Sequence, residues 1–324
     1  MPEHTQWSFP AELQPSAADV SFELQSALDS VVMLRADVPE ESFTASILGT
    51  ERAGNGVVID DHGLVLTIGY LITEAETVWL THNSGATVAG HPLAYDFATG
   101  FGLVQPLGRL PAPPLPRGTA ADLAVDDDVF VLGHGGRAHA LKAHLIARRE
   151  FAGYWEYMLD EALFTAPPHP EWSGAALVDD AGRLIGIGSL LVQEAVGDEQ
   201  VQGNMFVPID LLPPLLADVM KFGGSSRPPH PWLGMYTTEI SDHVVVHGLA
   251  KNAPADAAGV RLGDIVVDVD GEKVTGLADL YRKIWQRGSP GAVVPITLSR
   301  DGAVVRVQVR SADRNDYLRK PQLQ

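Results

Sequence analysis

The 324-residue chain contains no cysteine, which excludes disulfides, thiolate catalysis and thiolate metal sites in any compartment. It also lacks long apolar runs: none approaches the ~18 residues of a membrane-spanning helix, so no membrane partner is expected. Positive charge is scarce. Lys and Arg number 23 against 41 Asp and Glu, for a formal net charge of -18, and no basic cluster offsets it locally. Such a surface repels nucleic acid and anionic lipid, so neither is expected as a partner. Residues 1–6 (M-P-E-H-T-Q) carry neither a basic region nor an apolar core and do not read as a signal peptide. A cytoplasmic location is therefore expected, or a periplasmic one if a leader precedes this sequence. No cofactor is expected.

What is present is 45% hydrophobic residues punctuated by 32 Gly and 23 Pro. That composition suits many short segments joined by turns, as in a mostly β protein with two or three cores. Residues 1–20 are polar, with Pro2, Pro10 and Pro15, and read as an arm carrying two aromatics, Trp7 and Phe9. Val20, Leu24, Leu28 and Val31 have the spacing of a short amphipathic helix leading into a first strand. Residues 54–67 (G-N-G-V-V-I-D-D-H-G-L-V-L-T) are two apolar strands around an Asp/His/Gly turn. Residues 171–187 (E-W-S-G-A-A-L-V-D-D-A-G-R-L-I-G-I) are a small-residue loop followed by a second apolar hairpin. A Pro-rich crossing at 106–116 separates the two regions, and residues 223–231, rich in Gly, Ser and Pro, read as a linker.

These motifs resemble, in order, those of trypsin-like serine proteases of the HtrA/DegP type. Residues 171–187 are similar to the nucleophile loop G-N-S-G-G-P-L and its returning strand, with Ser173 at the nucleophile. Residues 54–67 resemble the hairpin G-S-G-V-I-I-x-x-x-G-Y-I-L-T, which in the family runs into the catalytic histidine; Tyr70 stands in that place. Residues 96–104 (D-F-A-T-G-F-G-L-V) resemble D-x-x-x-D-L-A-V-L, and Gly100 stands where the family has the orienting aspartate. Residues 206–210 (F-V-P-I-D) match the A-I-P-I-D that opens the helix closing the protease domain. Residues 232–312 resemble the PDZ domains that follow such proteases: W-L-G-M at 232–235, A-P-A-D-A-A-G-V-R-L-G-D-I-V at 253–266 and V-D-G at 269–271. The resemblance implies a mostly β architecture, a chymotrypsin/trypsin-like double six-stranded β-barrel followed by an α+β PDZ domain. The expected division is an arm at 1–20, the protease-like domain at 21–222, a linker at 223–231, the PDZ domain at 232–312 and a tail at 313–324. A trimer is implied too, in which an aromatic arm packs between subunits; Trp7 and Phe9 suit that or an arm folded onto its own subunit.

Serine hydrolysis needs a base near neutrality, a carboxylate to hold it and amide donors for the oxyanion. Tyr70, with an ordinary pKa of about 10, stays protonated at neutral pH, and Gly100 supplies no carboxylate. Two residues before the nucleophile the family has glycine; here Glu171 faces a steric cost at positive φ and brings negative charge toward the oxyanion site, beside the bulk of Trp172. His134, His139 and His144 recur every five residues, which places them on one face of neither helix nor strand, so solvated loop histidines are expected rather than a metal site. His169 lies four before Ser173, and a rescued His169–Ser173 dyad is the remaining catalytic option. The acidic run at 126–128 reads as a solvated turn.

Three functions follow from these residues: a catalytically inactive HtrA-like scaffold or regulator that binds peptides through its PDZ domain; a weak or unconventional serine endopeptidase using Ser173; and a holdase-type chaperone. An active protease paralogue is a further possible partner. In the first reading a peptide C-terminus adds beside the strand after Trp232, Leu233, Gly234 and Met235, whose amides receive the carboxylate. Leu233, Met235, Leu280 and Ile284 would line the pocket for its last side chain, or else fill the small domain's core.

Overall fold

The structure is a computed structural model that describes residues 7–196 and 199–319. Short alternating apolar segments fold into two closed six-stranded barrels and a further sheet. The first barrel comprises β1 (Val31–Asp37), β2 (Glu51–Val58), β3 (Val65–Ile68), β4 (Thr77–Thr81), β5 (Thr87–Tyr95) and β6 (Phe101–Pro106), closed in the order β1-β2-β3-β6-β5-β4. The second comprises β7 (Asp128–Leu132), β8 (Ala140–Gly153), β9 (Tyr157–Ala166), β10 (Ala176–Val178), β11 (Leu184–Val196) and β12 (Glu199–Pro208), closed in the order β10-β11-β12-β9-β8-β7. Full closure leaves no unpaired edge, and inward-facing Val, Leu and Ile fill each interior. Helix α1 (Leu24–Asp29) precedes β1, the single turn α2 (Ala45–Leu48) lies between β1 and β2, and α3 (Leu212–Phe222) follows β12.

Turn chemistry sets the registers. At the 60–64 turn, Asp60 Oδ1 accepts the amides of His62 and Leu64, both at 2.9 Å, which turns β2 back into β3. Asp179 does the same for Ala181 and Arg183 between β10 and β11. From Trp7 onward the arm packs along the second barrel. The Phe9 amide donates to Ala138 O, Leu13 O accepts the Lys142 amide, and both side chains pack against the core of the second barrel.

The remaining elements are β13 (Met235–Ile240), β14 (His243–Leu249), α4 (Pro254–Ala257), β15 (Ile265–Val269), β16 (Glu272–Lys273), α5 (Leu277–Trp285), β17 (Val293–Arg300) and β18 (Ala303–Arg310). Their strands form one sheet in the order β13-β14-β15-β17-β18, with β16 paired to β15. The apolar face of α5, Leu277, Leu280, Tyr281 and Ile284, is buried, as its 3.6-residue spacing requires.

The chain divides into two compact units, and the division differs from the one expected. One unit takes the barrels; the other takes Ser226–Leu318 together with Glu150–Asp160, the tip of the β8–β9 hairpin. Residues 150–160 therefore leave the protease-like domain in which they were placed, and 313–318 are not a free tail. The physical reason lies in the tip's side chains: Ala152 and Met158 pack on the core of the second unit. Arg319 returns to the barrel unit, where its amide donates to Glu74 Oε1 at 2.8 Å. Among the described residues no helix is long and apolar enough to cross a membrane.

Candidate functional site

Ser173 lies in the loop before β10, and the backbone there is tied to the first barrel. Its carbonyl accepts the Asn55 amide at 2.7 Å and Asn55 Nδ2 at 3.1 Å, and the same Nδ2 donates to Glu171 O at 2.8 Å. Gly174 follows at φ +73°, where a Cβ would lie 2.0 Å from Asn55 O. Only glycine allows that approach. Asn55, buried in β2, was not singled out from the sequence, although its place in G-N-G on a strand of apolar residues marks a polar side chain with a buried task.

The single 3₁₀ turn Gly69–Leu71 after β3 presents Tyr70 to this loop. Arg52 fixes the turn from behind, with Nη1 donating to Tyr70 O at 2.7 Å and to Thr73 O at 2.9 Å. The Tyr70 hydroxyl is 2.7 Å from Ser173 Oγ and donates to Ser189 O, also at 2.7 Å. A phenol has one proton. With that proton on the Ser189 carbonyl, the bond to Ser173 runs the other way, and Ser173 Oγ donates to the Tyr70 oxygen. Burial pushes the Tyr70 hydroxyl up to about 12, despite its bonds to Ser173 and Trp172. The acceptor of the serine proton is thus a neutral phenol oxygen, an extremely weak base.

Gly100 sits in the turn before β6 at φ +81°. Its carbonyl accepts the Gly69 amide at 2.6 Å and its amide donates to Asp96 O at 2.8 Å, so the turn braces the Tyr70 segment through backbone alone. Gly69 is itself covered by the Tyr95 ring, which a Cβ would meet at 2.1 Å.

Glu171 is not strained in the way its position suggested. It is absent from the non-glycine residues with positive φ. Its amide instead donates to His169 Nδ1 at 3.0 Å, which spends on a side chain a donor that an oxyanion hole would need. This bond also rules out the dyad. With Nδ1 accepting from Glu171, His169 Nε2 carries the proton and donates to His139 O at 2.9 Å, so no ring lone pair is left for Ser173. His169 is fully buried rather than solvated, and burial pushes its imidazole down to about 4.

The other loop histidines are not solvated as a group either; of the three spaced by five, only His144 is exposed. His134 bonds Asn55 Oδ1 through both its amide and Nδ1, each at 2.8 Å. Burial lowers its pKa; the negative charge of Glu171 opposes the shift and His139 adds to it. Glu171 Oε1 accepts the Trp7 indole N–H at 3.0 Å, while Oε2 faces His139 Nδ1 at 3.6 Å. Trp7 packs on the rings of His139 and His169, so the arm reaches the loop that carries Ser173. No group of three or more potential ligands suited to a metal occurs among the described residues.

In the second unit, Trp232 bridges Ala312 through reciprocal backbone bonds of 3.0 Å. Leu233, Met235, Leu280 and Ile284 are at most 1% exposed and share one core cluster. Glu156, which the sequence reading passed over, occupies the loop at 233–235. Its Oε1 accepts the Met235 amide at 2.9 Å and its Oε2 the Leu233 amide at 3.0 Å, and the intervening Gly234 amide also favours the charged carboxylate.

Closed six-stranded barrels meeting at a serine loop, followed by a separate sheet-and-helix unit, define the trypsin-like peptidase fold with an appended peptide-binding module. Residues 54–187 match the trypsin-like peptidase domain and residues 231–310 the PDZ domain. A trypsin-like peptidase domain followed by a PDZ domain is the arrangement of the HtrA-type proteins that the chain resembles. The chain is 27% identical over 263 residues to the putative serine protease HhoA of Synechocystis sp., a match covering 72% of this chain and 64% of that protein's length. It is 20% identical over 271 residues to the serine endoprotease DegS of Haemophilus influenzae, covering 81% of this chain and 77% of that one. Among solved structures, the HtrA-type protease AlgW with a decapeptide superposes with a TM-score of 0.53 at 19% identity, over 95% of this chain and all of the other. The serine endoprotease of Yersinia pestis gives 0.52 at 20%, over 91% of this chain and 99% of the other.

Proposed function

We propose that this chain is a catalytically silent HtrA-type protein at neutral pH, and that it acts by binding peptides through its second unit. The observation that carries this reading is the direction of one hydrogen bond: the Tyr70 hydroxyl gives its proton to Ser189 O and leaves Ser173 donating to a neutral phenol. A triad needs the opposite, a base that takes the serine proton. Removing the serine or the base from such a site costs about a millionfold in turnover. The Glu171 amide, bonded to His169, adds a second deficit, since one oxyanion donor is worth roughly 10²–10³ in rate. The PDZ fold supports peptide binding by addition of a strand beside β13.

A fluorophosphonate probe tests the silent site. At pH 7.5 the protein is expected to stay unlabelled over hours in which an active serine protease reacts completely. Stoichiometric labelling that disappears in Ser173→Ala would sink the reading.

A further inference from the structure

We propose that Glu156 is a built-in substitute for a peptide C-terminus, holding the carboxylate-binding loop of the second unit closed until a free C-terminus displaces it. This rests on the peptide-binding reading above and concerns how that same site is regulated.

The geometry is that of a bound ligand. The Leu233 and Met235 amides converge on the two oxygens of Glu156 at 3.0 and 2.9 Å, with Gly234 between them also favouring the charged group. Adjacent amides of one loop form a nest for one carboxylate. Next to it, the Thr237 amide of β13 donates to Tyr154 O at 3.1 Å, so the hairpin tip takes a backbone bond where an added strand would form its ladder. From α5, the Tyr281 hydroxyl donates to Gly153 O at 2.7 Å and accepts the Glu156 amide at 3.3 Å. Arg282 pairs with Glu150 and lies 3.8 Å from Asp160, at the two ends of the segment. All of these residues belong to one compact unit.

Two features mark the occupant as displaceable. Glu156 is held at φ +61°, a left-handed conformation costly for a residue with a side chain. Burial also pushes its carboxyl up to about 7 against the pull of the Leu233, Met235 and Gly234 amides, so the charged form is kept dry at a cost. A peptide C-terminus brings the same carboxylate without the strained turn, and its last side chain and backbone add contacts that the hairpin lacks. A purely structural glutamate would satisfy the amides but would not compete with anything. Competition is the distinguishing property, because a groove open for only a fraction of the time binds more weakly by that fraction.

The test uses the full chain and two labelled octapeptides of Gly and Ser ending in Ala-Val, one with a free carboxylate and one amidated. Glu156→Ala is expected to bind the free-carboxylate peptide at least tenfold tighter than the unaltered chain, with the amide bound by neither. Glu156→Gln, which keeps the shape and one acceptor oxygen, should fall between. Amide hydrogen exchange at 233–237 without peptide is the second readout, expected to rise at least tenfold in Glu156→Ala. Equal peptide affinity in the unaltered chain and the Ala variant overturns the proposal while leaving peptide binding intact. Unchanged exchange in the Ala variant overturns it whatever the peptides do. Raised exchange with no binding of either peptide keeps the occlusion and removes the peptide-binding function.

Discussion

At the scale of single residues, the chemistry of this molecule turns on where two protons sit. On the proposed reading Ser173 gives its proton to an ionised Tyr70, and with the hydroxyl pushed up to about 12 that form is roughly one molecule in 10⁵ at pH 7. Any Ser173-dependent acylation should therefore rise about tenfold per pH unit between 7 and 10, with no neutral optimum. The rate of organophosphonate modification across that range measures it. A plateau near pH 7 would reveal another base, and Tyr70→Phe should abolish the rise. The second proton is on His169 Nε2. Its pKa is depressed in the folded chain, from 6.5 to about 4, so the unfolded chain takes up its proton first. The associated stability is complete above pH 6.5 and is lost as pH falls from 6.5 to 4, by about 3 kcal/mol at most. Urea titrations of the full chain at pH 7 and 4.5 should show this loss, and His169→Gln should flatten it.

At the scale of elements, the nucleophile loop is a separate construction from the residues it displays. Tyr70→His with Gly100→Asp restores two letters of the triad but not the loop, because the Glu171 amide stays bonded to His169. The Asp would also enter a left-handed turn at φ +81°, at a cost of about 1 kcal/mol. Casein cleavage by this double variant is expected to remain near background; robust cleavage would show that oxyanion donors are assembled elsewhere in the loop. The order of the strand motifs carried the barrels and the PDZ unit, because glycine turns and apolar alternation are local properties that do not depend on which side chains stand at the triad positions. The site was legible only as letters. Tyr70 and Ser173 could be placed in their motifs, but the direction of their hydrogen bond depends on Ser189 O, 119 residues from Tyr70 in the chain. The strain expected at Glu171 did not arise because the loop bends onto His169, a contact that no spacing rule encodes. Glu156 was hidden differently: it is one of 41 acidic residues, and only the aromatic run at 154–157 around it hinted that this hairpin tip is buried.

At the scale of the whole molecule, one segment belongs to a unit other than the one its neighbours in sequence build. A fragment of residues 226–318 made without the tip leaves the Leu233 and Met235 amides and the Tyr281 hydroxyl without Glu156 and Gly153. At about 1–3 kcal/mol for each buried group stranded in this way, the fragment should melt well below the same fragment with residues 148–162 fused to it. Equal melting temperatures would show that solvent replaces the tip at no cost. The tip's attachment to the chain has a kinetic consequence as well. A competitor tethered in cis cannot be diluted, so the rate at which an incoming C-terminus binds has a ceiling set by how often the Glu156 hairpin lifts away. In a stopped-flow mixing experiment the observed rate should level off with peptide concentration instead of climbing linearly, and the plateau reads the lifetime of the latch.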